Sequence, residues 1–372
     1  MIAINKAKGK IEKIERLVGT TTISILLSLL LFCVIDYGTT SIITAFNPGA
    51  EEYFPSEVYF APSPYVMYKG TSDRDLQKQF GLNALGYRGA VPEIPKTRSE
   101  FRIFIIGGST VLNGNPSTSE LLQEYFHQAG RLDVKVYNFG VAASTLRMDI
   151  ARFVFEASSY SPDLIIFYGG GNDIGMPYQA DPRPNFPPNF LAYENNPLIV
   201  AGTQAQRWGT LFKLALFHSN IIRKYAGSEI KASLVPLEQV RIQSRWNSAE
   251  WSHAVAQAYL DNIKLAYQLT RAFNIKSIFV FQPILEFKST HSSAEQQLHD
   301  PNLLPHATLC RSLITVGLRR MNEELRLPFA DISDIFDSVK GDVFLDGIHI
   351  NQKHYPDVAK AIFKATQTLD IP

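Results

Sequence analysis

Two short motifs in this chain contain the residue types that a serine nucleophile needs. Gly107–Thr110 (GGST) follows the apolar run 102–106, so Ser109 would stand where a strand turns toward a helix. Asp346–His349 (DGIH) places a carboxylate three residues before an imidazole. A serine hydroxyl needs a base to take its proton, and the base needs an acceptor on its other ring nitrogen. Ser109, His349 and Asp346 are therefore candidates for these three roles.

Two other predicted strands end in residues that could stabilise an oxyanion. One strand runs into Gly140, and another runs into Gly169–Asp173 (GGGND). Acyl transfer needs donors aimed at the carbonyl oxygen, and a glycine N–H and an asparagine side chain can supply them. All of these motifs also have plainer explanations. Glycine and asparagine are common turn formers, a Gly-Gly-Ser turn can cradle a phosphate, and an Asp-x-x-His pair can be a surface turn.

Apolar strands that alternate with helical stretches predict the scaffold that would position these residues. From residue 101 the pattern indicates a three-layer α/β domain with a parallel sheet. The predicted strands cover 102–106, 134–138, 164–168 and 277–281, and the predicted helices cover 119–128, 145–158, 248–273, 309–325 and 355–369. The carboxyl edge of such a sheet is where open α/β folds bind ligands.

Between residues 175 and 247 this alternation is interrupted by a stretch rich in proline and asparagine. We interpret it as an insertion, either a lid that contacts substrate or an irregular connection. Two polar residues beside the expected site have open roles. Gln282 follows the fourth strand and could line the pocket, and Asp173 could bind substrate or hold the Asn172 loop.

The N-terminal region predicts a membrane anchor. Residues 18–35 carry no charge, and as a helix they would span roughly 27 Å, enough to cross a bilayer. Five basic residues precede this run, and the first basic residue after it is Lys69. This asymmetry predicts a cytoplasmic N-terminus and an extracytoplasmic body. A cleaved signal peptide and a buried core helix are the alternatives. We therefore predict a tail at 1–17, an anchor at 18–40, a linker and docking segment at 41–98 and a catalytic domain at 99–372.

Composition argues against several other functions. The formal net charge of +1, from 36 basic and 35 acidic residues, gives no field that would gather nucleic acid. Cys33 and Cys310 do not form a disulfide framework. His291, His299, His306 and Cys310 lack the spacing of metal ligands. We predict no metal, no other cofactor and no nucleic-acid partner.

Taken in order, the blocks at 107–110, 140, 170–173 and 346–349 resemble the four sequence blocks of the SGNH/GDSL hydrolase family. The resemblance covers residues from about 100 to the C-terminus and implies a flavodoxin-like fold. It also implies a catalytic triad of Ser109, His349 and Asp346, and an oxyanion hole made by the N–H groups of Ser109 and Gly140 and the side chain of Asn172.

One position departs from the family pattern. The first block usually reads Gly-Asp-Ser, whereas this chain has Gly108 in place of the aspartate. The missing aspartate is not a member of the triad. Its absence means that the turn at 107–110, which we call the nucleophile turn, must be supported in another way. The lead-in 83–89 (NALGYRG) is similar to that of anchored bacterial members, and we expect it to pack on the sheet edge.

The resemblance implies a serine esterase that works through an acyl-enzyme. We expect its substrate to be a short acyl ester on an envelope carbohydrate or lipid. The first alternative is an O-acyltransferase that passes the acyl group to a polysaccharide. The second is a catalytically inactive binding module that keeps only the fold.

Overall fold

The computed structural model describes residues 18–38, 60–195, 208–209, 211–213, 215–216, 219, 221–222 and 235–369. The predictions for the tail at 1–17, for the linker at 41–59 and for much of the insertion beyond 195 lie outside these residues. The chain divides into two compact units. The first takes 1–56 with 192–236, and the second takes 57–191 with 237–372.

The helices and strands of the described residues are numbered here in chain order. They are α1 Val18–Gly38, β1 Phe60–Ser63, β2 Met67–Gly70, α2 Arg74–Phe80, β3 Phe101–Gly107, α3 Ser109–Leu112, α4 Thr118–Gln128, β4 Val134–Gly140, α5 Leu146–Phe155, β5 Leu164–Gly169, α6 Gly171–Gln179, α7 Phe190–Glu194, α8 Leu237–Gln243, α9 Ala249–Ala272, β6 Lys276–Phe281, α10 Ser293–Leu298, α11 Leu304–Leu325, β7 Phe329–Asp331 and α12 Tyr355–Thr366.

The second unit is built on a five-stranded parallel sheet with the strand order β4-β3-β5-β6-β7. This order is that of the flavodoxin-like doubly wound folds, whose ligands bind where the direction of winding changes. Here that change falls between β3 and β5, which end at Gly107 and Gly169. The predicted three-layer α/β fold is confirmed, and Ser109 and Asn172 follow the ends of these two strands by two and three residues.

The central strands are apolar on both faces because helices cover both sides of the sheet. Alternate residues of β3 enter separate cores, so Phe104 and Ile106 lie on one face while Ile103 and Ile105 lie on the other. All four are fully buried. The first core also takes side chains from α5, α9 and α11, and the second takes them from α4 and α12. Both faces of the sheet therefore hold the strand that leads to Ser109.

The described part of the lead-in contains regular structure before residue 83, which the sequence did not indicate. Strands β1 and β2 form an antiparallel pair, which the sequence pattern did not predict because the run FAPS lacks alternation. The turn at 83–89 is closed by Asn83, which accepts hydrogen bonds from the N–H groups of Leu85 and Tyr87. Tyr87 is buried against Phe139 of β4, with ring centroids 4.5 Å apart. This contact places the lead-in against the edge strand of the sheet.

In the first unit, helix α1 is long and apolar enough to cross a membrane, with a mean hydropathy of 2.3 over its most apolar window. At its end, the Asp36 carboxylate accepts hydrogen bonds from the Ser219 hydroxyl at 2.9 Å and from the Ile221 N–H at 2.7 Å. The carboxylate that ends the apolar run is thus held by polar groups of the inserted segment.

Candidate active site

Ser109 is the first residue of helix α3 and follows the end of strand β3 by two residues. Its side chain is largely buried, at 6% exposure. The Ser109 Oγ and the His349 Nε2 lie 2.6 Å apart, although the two residues are separated by 240 positions in the chain. A hydroxyl at this distance from an imidazole nitrogen can pass its proton to it. The structure therefore brings these two predicted residues into direct contact.

Asp346 lies on the other side of the imidazole. Its Oδ2 is 2.6 Å from the His349 Nδ1, and its Oδ1 accepts the N–H groups of Ile348 and His349 at 2.8 Å each. Burial alone would raise the pKa of Asp346, but the hydrogen bonds from His349 and from these N–H groups lower it to about 2. The carboxylate is therefore ionised at neutral pH and can hold His349 with Nδ1 protonated and Nε2 free to accept.

A narrow hairpin carries both of these residues. The Leu345 N–H donates to the His349 oxygen, and the Asn351 N–H donates to the Val343 oxygen, both at 2.7 Å. The loop after β6 supports the hairpin tip, since the Leu285 N–H donates to the Gly347 oxygen at 3.0 Å. The His349 ring thus depends on a hairpin that is fixed at both its base and its tip.

Glu295 holds the base of this hairpin, a role that no sequence motif indicated. Its Oε1 accepts the N–H groups of Val343 and Phe344 at 2.9 and 3.0 Å, and its Oε2 lies 2.5 Å from the Lys288 Nζ. Both charged side chains are almost fully buried. Burial would raise the pKa of Glu295, but the hydrogen bonds from Lys288 and three backbone N–H groups lower it to about 2. The only sequence signal was its place in the capping box that begins at Ser292.

Asn172 lies in the first turn of α6, and its side chain reaches the nucleophile turn. Its Nδ2 donates one hydrogen to the Ser144 oxygen at 2.8 Å, which leaves its second hydrogen for another acceptor. A Cβ at Gly108 would lie 2.4 Å from this nitrogen. The Asn172 amide therefore occupies the space that a side chain at 108 would need, which gives a physical reason for glycine at this position.

Gly140 differs from the expectation in one respect. Its N–H donates to the Asn138 Oδ1 at 2.9 Å, and a Cβ at this position would lie 2.4 Å from the Leu112 nitrogen. Gly140 thus packs beneath α3, and its N–H would have to leave Asn138 before it could donate to a substrate. The sequence did not predict this partner, because an Asn-x-Gly strand end does not show which way the asparagine points.

The turn that follows Gly140 contains Ala143, which no sequence motif indicated as a site residue. The Ser144 N–H donates to the Val141 oxygen at 3.2 Å, and between them Ala143 has a left-handed backbone with φ of 56°. Non-glycine residues in this conformation are uncommon and cluster at functional sites. The turn lies beside the nucleophile turn, since the Ser144 oxygen is 3.6 Å from the Cβ position of Gly108. Alanine gives no sequence signal for this backbone conformation.

The two possible substrate-binding residues are buried near the site. Gln282 is 2% exposed, and its Oε1 lies 3.4 Å from the Thr110 Oγ1. Asp173 accepts the Leu146 N–H at 3.0 Å, and burial raises its pKa to about 7. The cavity beside Asp173 has a volume of about 10 Å³, room for about one water molecule. These positions support the loops around the site more directly than they offer a surface to a substrate.

His306 and Cys310 make hydrogen bonds within the protein core. His306 is buried, with Nδ1 2.8 Å from the Ser252 hydroxyl, and burial lowers its pKa to about 4. Cys310 is also buried and donates to the Ser252 oxygen. Within the described ranges, no group of three or more His, Cys, Asp or Glu residues could hold a metal ion.

The fold and the Ser-His-Asp arrangement define a class of serine hydrolase, and a family comparison agrees. Residues 103–222 match the family model of the GDSL-like lipase/acylhydrolases, a stretch that includes Ser109 and Asn172. This part of the chain is therefore similar to the GDSL-like lipase/acylhydrolases, in agreement with the resemblance that the sequence blocks predicted. The match ends before Asp346 and His349.

Three solved structures illustrate how distant the structural likenesses are. The acetyl xylan esterase AlAXEase is 13% identical with a TM-score of 0.40, over 71% of this chain and 99% of that one. A lipase/acylhydrolase from Enterococcus faecalis is 13% identical with a TM-score of 0.42, over 72% and 96%. Axe2, an acetylxylan esterase from Geobacillus stearothermophilus, is 15% identical with a TM-score of 0.39, over 72% and 96%. The comparison with curated proteins gave no match.

Replacing Glu295 tests its support of the hairpin. Glu295→Gln removes the charge that pairs with buried Lys288, so we expect the free energy of unfolding to fall by about 3–5 kcal/mol. We also expect kcat for an ester to fall about tenfold, because a shift of the hairpin misplaces His349. Glu120 is the matched control, since it closes a capping box on α4 without touching the hairpin. If Glu120→Gln and Glu295→Gln have equal stability and kcat, this role of Glu295 is wrong.

The same carboxylate predicts a dependence of stability on pH. The folded-state pKa of Glu295 is about 2, below the ordinary glutamate value of about 4.3. Its stabilisation is therefore fully present above about pH 4.3 and is lost as the pH falls toward 2. We expect the free energy of unfolding to fall over this window, with a smaller slope in Glu295→Gln. Urea titrations from pH 5 down to about 2 measure both slopes, and equal slopes would contradict the prediction.

The close approach of Gly108 and Asn172 predicts an unusual effect of alanine. In Gly108→Ala the new methyl group would displace the Asn172 amide, so kcat should fall roughly 10- to 100-fold. Asn172→Ala removes the obstructed group, and in that background Gly108→Ala should reduce kcat by less than about threefold. Steady-state kinetics on a nitrophenyl ester measures all four proteins. Wild-type kcat in Gly108→Ala would show that the amide does not need this space.

Proposed function

We propose that this protein hydrolyses esters through an acyl-enzyme formed on Ser109. The observation that carries the proposal is the continuous contact from the Ser109 Oγ to His349 to Asp346, with 2.6 Å at each step. A chain of contacts this short is typical of an active nucleophile. It argues against an inactive module, because a binding module has no need to retain these three side chains in contact.

In the first half of the reaction, the Ser109 Oγ attacks the ester carbonyl while its proton passes to the His349 Nε2. The positive imidazole is stabilised by ionised Asp346. Collapse of the tetrahedral intermediate breaks the bond to the alcohol, which takes the proton from His349 as it leaves. In the second half, His349 takes a proton from water, the resulting hydroxide equivalent attacks the acyl-enzyme, and the acid is released with the Ser109 hydroxyl restored.

Donors around Ser109 would hold the negative charge on the carbonyl oxygen. The Ser109 N–H is at the start of α3, where a helix leaves its first N–H groups without backbone partners. The free hydrogen of the Asn172 Nδ2 is the second donor in our proposal. For the third, Gly140 would have to give up Asn138, so the left-handed residue Ala143 is a further candidate.

The surroundings of the nucleophile favour a small acyl group. Ser109 and Asn172 are 6% and 5% exposed, and the Asn172 amide fills the space beside Gly108. We infer a short acyl ester on a carbohydrate or lipid of the cell envelope. This inference also depends on the anchor, which would hold the site on the extracytoplasmic side, with the basic tail in the cytoplasm.

Replacing the nucleophile tests the proposal on the full chain in detergent micelles. Ser109→Ala should abolish the burst of nitrophenol from 4-nitrophenyl acetate and lower the steady rate at least about 10³-fold, because no acyl-enzyme can form. Ser158→Ala is the control, since Ser158 donates only to the Val154 oxygen. Equal rates for Ser109→Ala and the wild type would overturn the proposal.

The same assay distinguishes hydrolysis from acyl transfer. Transfer differs only in the group that attacks the acyl-enzyme, a sugar hydroxyl instead of water. Adding an oligosaccharide acceptor and measuring both acetate and acetylated sugar gives the partition between them. Release of acetate alone supports hydrolysis, whereas acetylated sugar as the main product supports the transferase.

A further inference from the structure

We propose that the buried Asp149–Arg152 ion pair positions the oxyanion side of the site by joining the nucleophile turn to Asn172. The proposal rests on the function proposed above. Both residues lie on α5, behind the carboxyl edge of the sheet, and both are almost completely buried. Neither is within the triad, and we assign both as positioning residues.

Arg152 contacts both sides of the site through one nitrogen. Its Nη2 donates to the Gly107 oxygen at 3.1 Å, and Gly107 is the last residue of the strand that presents Ser109. The same nitrogen also lies 2.9 Å from the Ser144 Oγ and is paired with Asp149, so its two hydrogens are shared among three acceptors. A single guanidinium group therefore fixes the end of β3 relative to the turn at 141–144.

Ser144 carries this constraint to Asn172. Its hydroxyl accepts from Arg152 and donates to the Asp149 Oδ1, which is 2.5 Å away. Its backbone oxygen accepts the Asn172 Nδ2 at 2.8 Å. The hydrogen bond to Ser144 sets the rotation of the Asn172 amide, and that rotation decides where the second hydrogen points. Ser144 therefore links Arg152 directly to the Asn172 amide.

The energetic cost of this pair supports a role in geometry. Burying two charges costs several kcal/mol each, and a well-packed apolar pair often gives equal or greater stability. Here Arg152 holds the end of β3 at Gly107, two residues before Ser109. The Val141 N–H donates to the same Gly107 oxygen at 3.0 Å, so both contacts converge on the strand end.

The opposite edge of the sheet contains a matched control. Arg102, at the start of β3, pairs with Glu100 at 2.8 Å, and both side chains are buried. Arg102 also donates to the Tyr160 oxygen, and Glu100 accepts from the Tyr137 hydroxyl. This second buried pair resembles the first in chemistry and burial, but it lies at the end of β3 remote from Ser109.

The experiment replaces each pair as a unit, so that no single charge is left buried. In the full chain, Asp149→Asn with Arg152→Gln should lower kcat for 4-nitrophenyl acetate at least about tenfold and change KM less than about twofold, because only transition-state contacts are lost. Glu100→Gln with Arg102→Gln should keep kcat within about twofold of wild type. Thermal unfolding of both double variants shows how much stability each has lost.

A mutant cycle with Asn172→Ala identifies the path. If the pair acts through Asn172, its replacement in the Asn172→Ala background should lower kcat by less than about threefold further. Two results would overturn the inference: an equal loss of kcat in the control pair, or the same loss with and without Asn172. Arg152→Lys should also lower kcat relative to the wild type, because the lysine ammonium lacks the planar fork of donors of a guanidinium.

These outcomes are separate from a failure of the proposed function. If Ser109→Ala retains wild-type activity, the esterase proposal is wrong whatever the pair does. If Ser109→Ala is inactive and the cycle is additive, the esterase proposal stands and only the positioning role is lost.

Discussion

The contact between the Ser109 hydroxyl and the His349 ring joins residues 240 positions apart, and no local structure could create it. It exists because the sheet is parallel, so that β3 and the chain leaving the last strand both deliver residues to one edge. Close packing on both faces of β3 fixes the position of Ser109. The hairpin held by Glu295 fixes the position of His349.

Backbone hydrogen bonds account for much of the electrostatics at this edge. Asp346 and Glu295 are both kept ionised although burial opposes it, and in each case peptide N–H groups supply much of the stabilisation. Peptide groups held by the fold need little reorganisation when charge develops. The same fixed backbone limits sequence change, because a carboxylate held by two N–H groups cannot move without the chain that carries them.

Much of this architecture could be predicted from the sequence. Four of the strands and the helices after them have strong periodicity, and the motifs around Ser109 and His349 are short and local. Strand β7 was missed because it has only three residues. Glu295, Ala143 and Arg152 were missed for a different reason: their roles depend on which backbone groups lie beside them after folding. A glutamate in a capping box, an alanine in a turn and an arginine in an amphipathic helix give no such information.

The lead-in strands contact the turn that follows Gly140. Strand β1 pairs with β2. In β2 the Tyr68 hydroxyl donates to the Ala142 oxygen at 3.3 Å, and Ala142 belongs to the turn beside the nucleophile. The antiparallel pair therefore braces this turn. Residues that precede the central sheet in the chain thus help to fix the shape of the candidate site.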